Sequence, residues 1–305
     1  MVTDGSRIYF SSFSGAGTSL YQVSTAGGGA VPIQTPFPDP VVLDISPDRS
    51  ELLVGSCAPY STECQIWMLS VLGLSPRRVG NVRSPNVAWS PDGKEVLYVQ
   101  GNSLYRVRSD GTQSRKISTF TAGGTPFWPR WSPNGNLLRF SVDSATNSTW
   151  TPSTAADWSA GGIGSTDTTS LWEVSVDGKD PHPLLPGWNN PPPECCGSWT
   201  PDGKYFLFQS QRGGTANIWA IREGGSILKK ASHEPVKLTT GPASSYTPVP
   251  SPDGKKVFVV AAQTRGELVR YDSASHQFTP YLSGISANGR EFLQRRELGD
   301  VRCLP

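Results

Sequence analysis

The chain has 305 residues, and its 27 Lys and Arg against 25 Asp and Glu give a net charge of +2. This balance argues against a nucleic-acid-binding surface, which requires clustered basic residues. The 32 glycines and 27 prolines exclude long helices, whereas 10 Trp, 11 Phe and 9 Tyr supply bulky core side chains. Together these features predict an all-β fold.

A turn motif of the type Ser-Pro-Asp-Gly recurs along the chain. Its copies begin at Ser46, Ser90, Ser132, Thr200 and Ser251, and a degenerate copy is Thr3-Asp4-Gly5. From Ser46 onward the copies lie 44, 42, 68 and 51 residues apart, close to the ~40–50 residues of a propeller blade. Proline presets φ, Asp or Asn bonds its own backbone and Gly accepts positive φ, so each copy predicts a hairpin turn.

Strand-like segments surround the turns in a constant order. An aromatic-ending segment such as Val87-Ala88-Trp89 precedes the turn, and an apolar segment such as 96–99 follows it. A third strand such as 104–107 and a polar fourth strand such as 115–118 complete the unit. Four antiparallel strands repeated six times predict a six-bladed β-propeller, with a truncated seven- or eight-bladed ring as the alternative.

We expect one propeller domain over residues 1–292. The predicted blades cover about residues 1–36, 37–80, 81–120, 121–188, 189–241 and 242–284. The first unit begins at its turn and lacks a first strand, so residues 285–292 are expected to supply that strand and close the ring. Phe292 would then take the place that Trp89 and Trp131 hold in their own blades.

Two segments depart from the repeat. Residues 144–169 form an insertion rich in Ser, Thr, Gly and Ala, which predicts a surface loop or, with Trp150 and Trp158 as anchors, a lid over one face. Residues 293–305 are an irregular tail where another turn is due. Codons can be chosen so that a one-nucleotide shift restores a turn and a strand there. We therefore hypothesise that the tail is out of frame and that the parent protein has further blades.

The repeated Trp-Ser-Pro-Asp-Gly pattern with its flanking strands resembles the TolB-like, WD40-like β-propeller repeats over nearly the whole chain. A narrower group, the C-terminal propellers of bacterial winged-helix transcriptional regulators resembling CadC, is similar in the segment Glu194-Cys195-Cys196-Gly197-Ser198-Trp199-Thr200-Pro201-Asp202-Gly203-Lys204-Tyr205-Phe206. This resemblance implies a sensor or interaction module normally attached to a DNA-binding domain. No helix-turn-helix stretch accompanies it here, so DNA binding is not assigned to this chain.

Motifs for catalysis or metal binding do not emerge from the sequence. There is no Gly-x-Ser-x-Gly nucleophile elbow, no His-Glu-x-x-His and no Cys-x-x-Cys pair. The three histidines, His182, His233 and His276, do not occupy equivalent positions of the repeat, so we expect them to be solvated. The sequence therefore predicts a protein that is not an enzyme and holds neither a metal nor a cofactor.

Candidate binding residues come from the first strand of each blade, which is the innermost strand of a propeller. The position two residues before the turn is Asp44, Ala88, Arg130, Ser198 or Val249. The polar members, Asp44, Arg130 and Ser198, are predicted to face the central channel and bind a ligand there, or else to bond neighbouring strands. Replacing Asp44 or Arg130 with Ala is expected to change stability little.

The tryptophans one position further on, Trp89, Trp131 and Trp199, are predicted to pack in the core between blades, because a repeat cannot bury its apolar faces alone. Replacing any of them with Ala is expected to lower the free energy of unfolding by about 3–5 kcal/mol.

Four of the five cysteines lie within blades. Cys57 and Cys64 flank a short β-loop whose ends are close, so they form either a disulfide or two free thiols in a reducing compartment. Cys195 and Cys196 are adjacent on a first strand, so we expect their side chains to face opposite sides and to pack as small apolar groups.

Three functions remain open from the sequence. The first is a non-catalytic propeller that binds a ligand or a protein as the sensory part of a regulator. The second is the propeller of a prolyl oligopeptidase-like peptidase without its hydrolase domain, and the third is a periplasmic scaffold resembling TolB. The expected partner is a protein or small molecule at the channel or loops, with no nucleic acid bound by this chain and no membrane segment. No signal peptide is evident, so a cytoplasmic or a periplasmic location is open.

Overall fold

The computed structural model describes residues 1–14, 17–57, 63–72, 75–144, 169–188, 194–224, 234–263 and 269–281. The chain divides into a compact unit of residues 1–261 and a second unit of residues 262–305. The first unit is built from antiparallel sheets in which each strand pairs with the next one along the chain. Five of these sheets have four strands and form blades, as expected for a β-propeller.

The first three blades contain twelve strands. In blade 1 they are β1 (Val2–Thr3), β2 (Arg7–Ser14), β3 (Gly17–Ser24) and β4 (Val31–Ile33). In blade 2 they are β5 (Pro40–Ile45), β6 (Glu51–Cys57), β7 (Cys64–Ser70) and β8 (Arg77–Arg83). In blade 3 they are β9 (Val87–Trp89), β10 (Glu95–Gln100), β11 (Ser103–Arg108) and β12 (Arg115–Thr119).

Two further blades follow. In blade 4 the strands are β13 (Thr125–Trp131), β14 (Leu137–Asp143), β15 (Thr169–Ser175) and β16 (His182–Pro183). In blade 5 they are β17 (Glu194–Trp199), β18 (Tyr205–Ser210), β19 (Asn217–Arg222) and β20 (Val236–Lys237).

The sixth repeat does not form a complete blade in the described residues. Its first two strands, β21 (Ser244–Pro250) and β22 (Val257–Ala262), pair as a two-stranded sheet. In the second unit, β23 (Val269–Asp272) and β24 (Gln277–Pro280) form a separate hairpin. The structure therefore shows five four-stranded blades, and the prediction of six such blades is corrected. The physical reason is that, within the described residues, β22 pairs with β21 in a sheet of two strands.

The recurring turns are held by one hydrogen-bond arrangement. In blade 3 the Ser90 hydroxyl donates to the Asp92 carboxylate at 2.7 Å and accepts from the Glu95 N–H at 2.9 Å. The Gly93 N–H donates to the Ser90 carbonyl, and Gly93 has a φ of 70°. Equivalent hydroxyl-to-carboxylate or hydroxyl-to-amide bonds are made by Ser46, Ser132, Thr200 and Ser251. The repeated tetrapeptide thus starts every second strand in the same register.

Blade 1 has its own first strand, contrary to the expectation that it lacks one. Val2 and Thr3 pair with Tyr9 and Ile8 of β2. The degenerate turn forms because the Asp4 carboxylate accepts from the N–H groups of Ser6 and Arg7. The segment expected to supply this strand, residues 285–292 with Phe292, lies outside the described residues. So do the irregular tail and most of the insertion, including Trp150 and Trp158.

Turns of successive repeats contact one another through proline and glycine. A Cβ on Gly93 would lie 3.7 Å from Cδ of Pro47, and one on Gly203 would lie 3.7 Å from Cγ of Pro133. The turn after β21 makes the same contact with the first blade, since a Cβ on Gly5 would lie 3.4 Å from Cγ of Pro252. The inner strands of the sixth repeat therefore lie beside blade 1.

Blades also pack through side chains. Leu53 and Met68 of blade 2 share a buried cluster with Trp89 and Val96 of blade 3. Blades 4 and 5 are joined by the Arg139 guanidinium, which is only 3% exposed. It bonds Glu173 in its own blade at 2.7 Å and Glu223 after β19, and it stacks over the ring of Trp199 at 4.7 Å.

None of the described segments is a helix with the length and apolarity needed to cross a membrane.

Candidate binding site in the channel

The first strands of the blades surround a channel that contains two cavities. The residues four positions before each turn serine or threonine line the first cavity, which has a volume of about 360 Å³. They are Val42, Asn86, Trp128, Cys196 and Thr247. Four of the residues two positions before the turn, in blades 2 to 5, line the second cavity, of about 290 Å³, together with the turns themselves. We call these the bulge-side cavity and the turn-side cavity.

The bulge-side cavity takes its name from irregularities in the first strands. The register shifts in β5, β13 and β17, so that an extra residue leaves the ladder. Trp128 and Cys196, in the bulges of β13 and β17, and Thr247, at the same position of β21, have φ values between 52° and 60°. Such a conformation is uncommon for residues other than Gly. Because it recurs at one position of the repeat, it is a regular part of the channel wall.

Neighbouring blades support these bulges by hydrogen bonds. The N–H of Val42 donates to the Ser11 hydroxyl at 2.9 Å, and that of Cys196 donates to the Ser141 hydroxyl at 3.0 Å. In the same way the N–H of Trp128 donates to the side-chain oxygen of Asn86 at 3.1 Å, and the N–H of Thr247 donates to the side-chain oxygen of Gln209 at 3.0 Å. A buried N–H that has left its own ladder is thereby satisfied by a side chain of the preceding blade.

The structure brings the three predicted channel residues to one place. Asp44, Arg130 and Ser198 all line the turn-side cavity, with Ala88 completing this side of the wall. All three side chains are half-buried, and part of their surface faces the cavity. Val249, the sixth-repeat equivalent, is not among the lining residues of either cavity.

Asp44 is positioned by backbone donors. One carboxylate oxygen accepts from the N–H of Ile45 at 2.9 Å, and the other accepts from the N–H of Trp89 in the next blade at 2.8 Å. Burial raises the pKa of the Asp44 carboxyl above its ordinary value, while the positive charge of Arg130 and the two N–H donors oppose that rise. Asp44 therefore has a structural role besides facing the cavity.

Arg130 lies at the junction of the two cavities and lines both. Its Nη1 donates to the carbonyl of Pro129 at 2.8 Å and to that of Val87 at 3.5 Å. The guanidinium stacks over the ring of Trp128 at 4.8 Å. Burial lowers the pKa of the Arg130 guanidinium, and the charge of Asp44 opposes this. The two opposite charges influence one another without forming a direct ion pair.

The segment from Cys195 to Trp199 contributes to both cavities. Cys195 and Cys196 are joined in a disulfide between adjacent residues, which corrects the expectation that they pack as separate thiols on opposite sides. The reason is the bulge: the φ of 60° at Cys196 breaks the alternation of a regular strand. Both sulfurs pack with Phe127 and Trp128, and Cys196 faces the bulge-side cavity. Two adjacent cysteines are the only sign of this bond in the sequence.

The other predicted residues are placed as follows. Cys57 and Cys64 form a disulfide at the end of the β6–β7 hairpin, and neither is among the lining residues of the two cavities. Trp89 is 6% exposed and lies in the core between blades 2 and 3. Trp131 and Trp199 are half-buried, and all three tryptophans also line the turn-side cavity. Within the described ranges, no group of three His, Cys, Asp or Glu side chains could hold a metal ion.

No protein-family model matches the chain. A curated relative, the uncharacterized protein Atu1656 of Agrobacterium fabrum, is 28% identical in an alignment of 203 residues, with coverage of 58% of this chain and 65% of that protein. The match thus spans slightly less than two thirds of the relative's length.

Solved structures share the fold at low identity. The putative TolB from Agrobacterium tumefaciens superposes with a TM-score of 0.59 at 19% identity, over 90% of this chain and 88% of that one. A chain of the nidogen/laminin complex gives 0.57 at 12% identity, over 89% and 90% of the two chains. The tricorn protease gives 0.55 at 13% identity, over 95% of this chain but 26% of the protease.

These similarities and the blade topology define the class of protein. The chain has a TolB-like β-propeller fold, with a channel whose wall carries two opposite charges. At such identities the likeness establishes the fold alone, because propellers host many unrelated functions.

Proposed function

We propose that this chain is a non-catalytic β-propeller that binds a small molecule or a protein segment in its channel, through Asp44, Arg130 and Ser198. One observation carries the proposal. Asp44 and Arg130 are held deep in the channel with opposite charges, close enough to shift one another's pKa but without an ion pair. Burying charges costs free energy unless they are paired, so a ligand with polar groups placed between them would recover part of that cost.

The arrangement favours binding over catalysis. Both carboxylate oxygens of Asp44 accept backbone N–H groups, which leaves the carboxylate poorly suited to move a proton to or from a substrate. Arg130 is stacked and bonded to two carbonyls, which suits a fixed recognition element. We assign these residues to recognition.

The parent protein is proposed to be a bacterial transcriptional regulator in which this propeller is the sensory part. The support is the resemblance of residues 194–203 to the propellers of CadC-like regulators. The sequence of the flanking DNA tests this: an upstream winged-helix reading frame is expected, whereas a downstream hydrolase frame would favour the peptidase alternative and a signal sequence the TolB-like scaffold.

The binding proposal is tested by thermal denaturation in the presence of a collection of small polar compounds. A ligand that binds only the folded state raises the unfolding temperature. We expect some compounds to stabilise the wild type and to lose this effect in the variants Arg130→Met and Ser198→Val.

The matched control is Arg78→Met. Arg78 stacks over the ring of Trp67 at 4.8 Å, the same distance as Arg130 over Trp128, but it lies on the outer strand β8. Stabilisation that persists in Arg130→Met and disappears in Arg78→Met would place binding outside the channel and overturn the proposal.

A further inference from the structure

The bulge-side cavity has the composition of a small-molecule site. Its wall is mainly apolar and aromatic, with Phe10, Phe13, Val41, Phe127 and Trp128 among the lining residues. The disulfide of Cys196 adds a rigid apolar surface, since the bond fixes both side chains. A volume of about 360 Å³ lies within the range of pockets that enclose small organic ligands.

Arg130 supplies the charged side chain of this apolar wall. A guanidinium has five N–H donors, and the two hydrogen bonds described for Arg130 both come from Nη1. Stacking on Trp128 fixes the plane of the guanidinium, so its remaining donors keep one orientation. A planar, fixed guanidinium is the group that recognises a carboxylate through paired hydrogen bonds.

Asp44 does not serve as the partner of these donors. Its two oxygens are occupied by the N–H groups of Ile45 and Trp89, and it lines the turn-side cavity but not the bulge-side cavity. An anion entering the bulge-side cavity would therefore meet Arg130 before Asp44. The cavity offers positive charge at one end and an apolar enclosure along the rest of its length.

We propose that the bulge-side cavity binds a small amphipathic carboxylate, with the carboxylate on Arg130 and an aromatic or aliphatic body against Phe127, Trp128 and the Cys195–Cys196 disulfide. This inference rests on the proposed channel-binding function, shares Arg130 with it because Arg130 lines both cavities, and specifies a ligand class for the bulge-side cavity. The same chemistry disfavours amines and neutral polar compounds, because neither supplies a counter-charge to the guanidinium.

The test is a calorimetric titration of the full chain with three probes that share a phenylpropyl skeleton and differ in the terminal group: 3-phenylpropionate, 3-phenylpropanamide and 3-phenylpropylamine. We expect the carboxylate to bind at least about tenfold more tightly than the amide and the amine. Arg130→Met is expected to remove this preference, and Arg130→Lys to keep part of it. The control Arg78→Met is expected to leave it unchanged.

A second measurement does not depend on the variants folding. In wild-type protein with labelled valine methyl groups, the ring protons of bound 3-phenylpropionate are expected to contact Val41 and Val42 by nuclear Overhauser effect. Contacts with none of the four valines that line this cavity, Val41, Val42, Val87 and Val260, or no binding of the carboxylate up to about 10 mM, would overturn the inference.

The outcomes separate this inference from the function on which it rests. If the amine binds best and loses affinity in Asp44→Ala, the channel is still a ligand site but the carboxylate assignment is wrong. Equal affinity of carboxylate and amide for the wild type overturns the assignment in the same way. If the compound collection also gives no stabilisation that depends on Arg130, the proposed function itself fails.

Discussion

The Asp44 carboxylate accepts a hydrogen bond of 2.8 Å from the backbone N–H of Trp89, so a side chain of the channel in blade 2 holds the first strand of blade 3. The sequence alone suggests that removing this side chain would leave stability almost unchanged. The structure leads to the opposite expectation, because two backbone donors would lose their acceptor.

We predict that Asp44→Ala lowers the free energy of unfolding by about 1–3 kcal/mol, the cost of leaving buried N–H groups without a partner. Urea denaturation followed by tryptophan fluorescence measures the change. Ser198→Ala, at the equivalent position of blade 5, is the control and is expected to stay within about 0.5 kcal/mol of wild type. Equal effects of the two substitutions would contradict the structural role of Asp44.

Trp89 and Trp131 are expected to contribute unequally to the free energy of unfolding. Trp89 is 6% exposed and packs between two blades, so Trp89→Ala is expected to cost about 3–5 kcal/mol. Trp131 is half-buried and packs only at the edge of its cluster, so Trp131→Ala should cost less. Denaturation midpoints of the two variants under one condition provide the comparison, and a larger loss for Trp131→Ala would refute it.

Glycine is required at position 197 because the ring of Phe206, in the same blade, lies close to its Cα. A Cβ at this position would lie 2.1 Å from Cζ of Phe206, so the ring would have to move. Gly197→Ala is therefore expected to destabilise the protein by about 1–3 kcal/mol, as overpacking does. Gly29→Ala is the control, since a Cβ there meets nothing within 4 Å, and its unfolding temperature should match wild type.

Stability should fall in acid through the turn aspartates. The hydroxyl of Thr200 and the N–H of Lys204 lower the pKa of Asp202 to about 2, and the corresponding bonds of Ser46, Ser90 and Ser251 lower the pKa of their partners. A carboxyl whose pKa is lower in the folded state contributes stability above its unfolded pKa of about 3.9. That contribution is lost as the pH falls toward 2.

Urea midpoints measured between about pH 2 and pH 6 test this dependence. Asp202→Asn should fold and should show a shallower fall in acid, because the equivalent position of blade 4 is already Asn134, whose side-chain oxygen accepts from Ser132 at 2.8 Å. An unchanged profile in Asp202→Asn would show that Asp202 does not contribute to acid sensitivity.

The cysteines give a count that can be measured directly. The chain has five cysteines, and four of them form the disulfides Cys57–Cys64 and Cys195–Cys196. Denatured protein purified without reductant is therefore expected to show one thiol toward a chromogenic disulfide reagent, and five after reduction. Three thiols in the first assay would mean that one of the two disulfides is absent.

The strand order of the blades could be predicted because the turn motif marks the end of the first strand and the start of the second strand in each repeat. Ser90, Asp92 and Gly93 act within four residues of one another, and such local hydrogen bonding depends little on the rest of the fold. The channel positions Asp44, Arg130 and Ser198 followed from their constant offset to these turns. Strand alternation and a repeated offset are properties of the sequence itself.

The features that escaped prediction depend on long-range contacts. Arg139 stands in an apolar strand, and its burial depends on Glu173 in its own blade and on Glu223 and Trp199 from the next blade. The bulge at Cys196 depends on the Ser141 hydroxyl 55 positions earlier, so alternation alone predicts the wrong direction for its side chain. The incomplete sixth blade likewise reflects which strands pair, and the turn motif does not encode that choice.

The bulge bonds have a consequence for how this scaffold could acquire new specificity. Val42, Trp128, Cys196 and Thr247 are each held through their backbone N–H, and the acceptor belongs to a different residue. A new side chain that tolerates the local φ, which is positive at Trp128, Cys196 and Thr247, keeps the bond intact while it changes the channel wall. A combinatorial library at these sites would diversify the cavity one blade at a time, and natural selection could have used the same freedom.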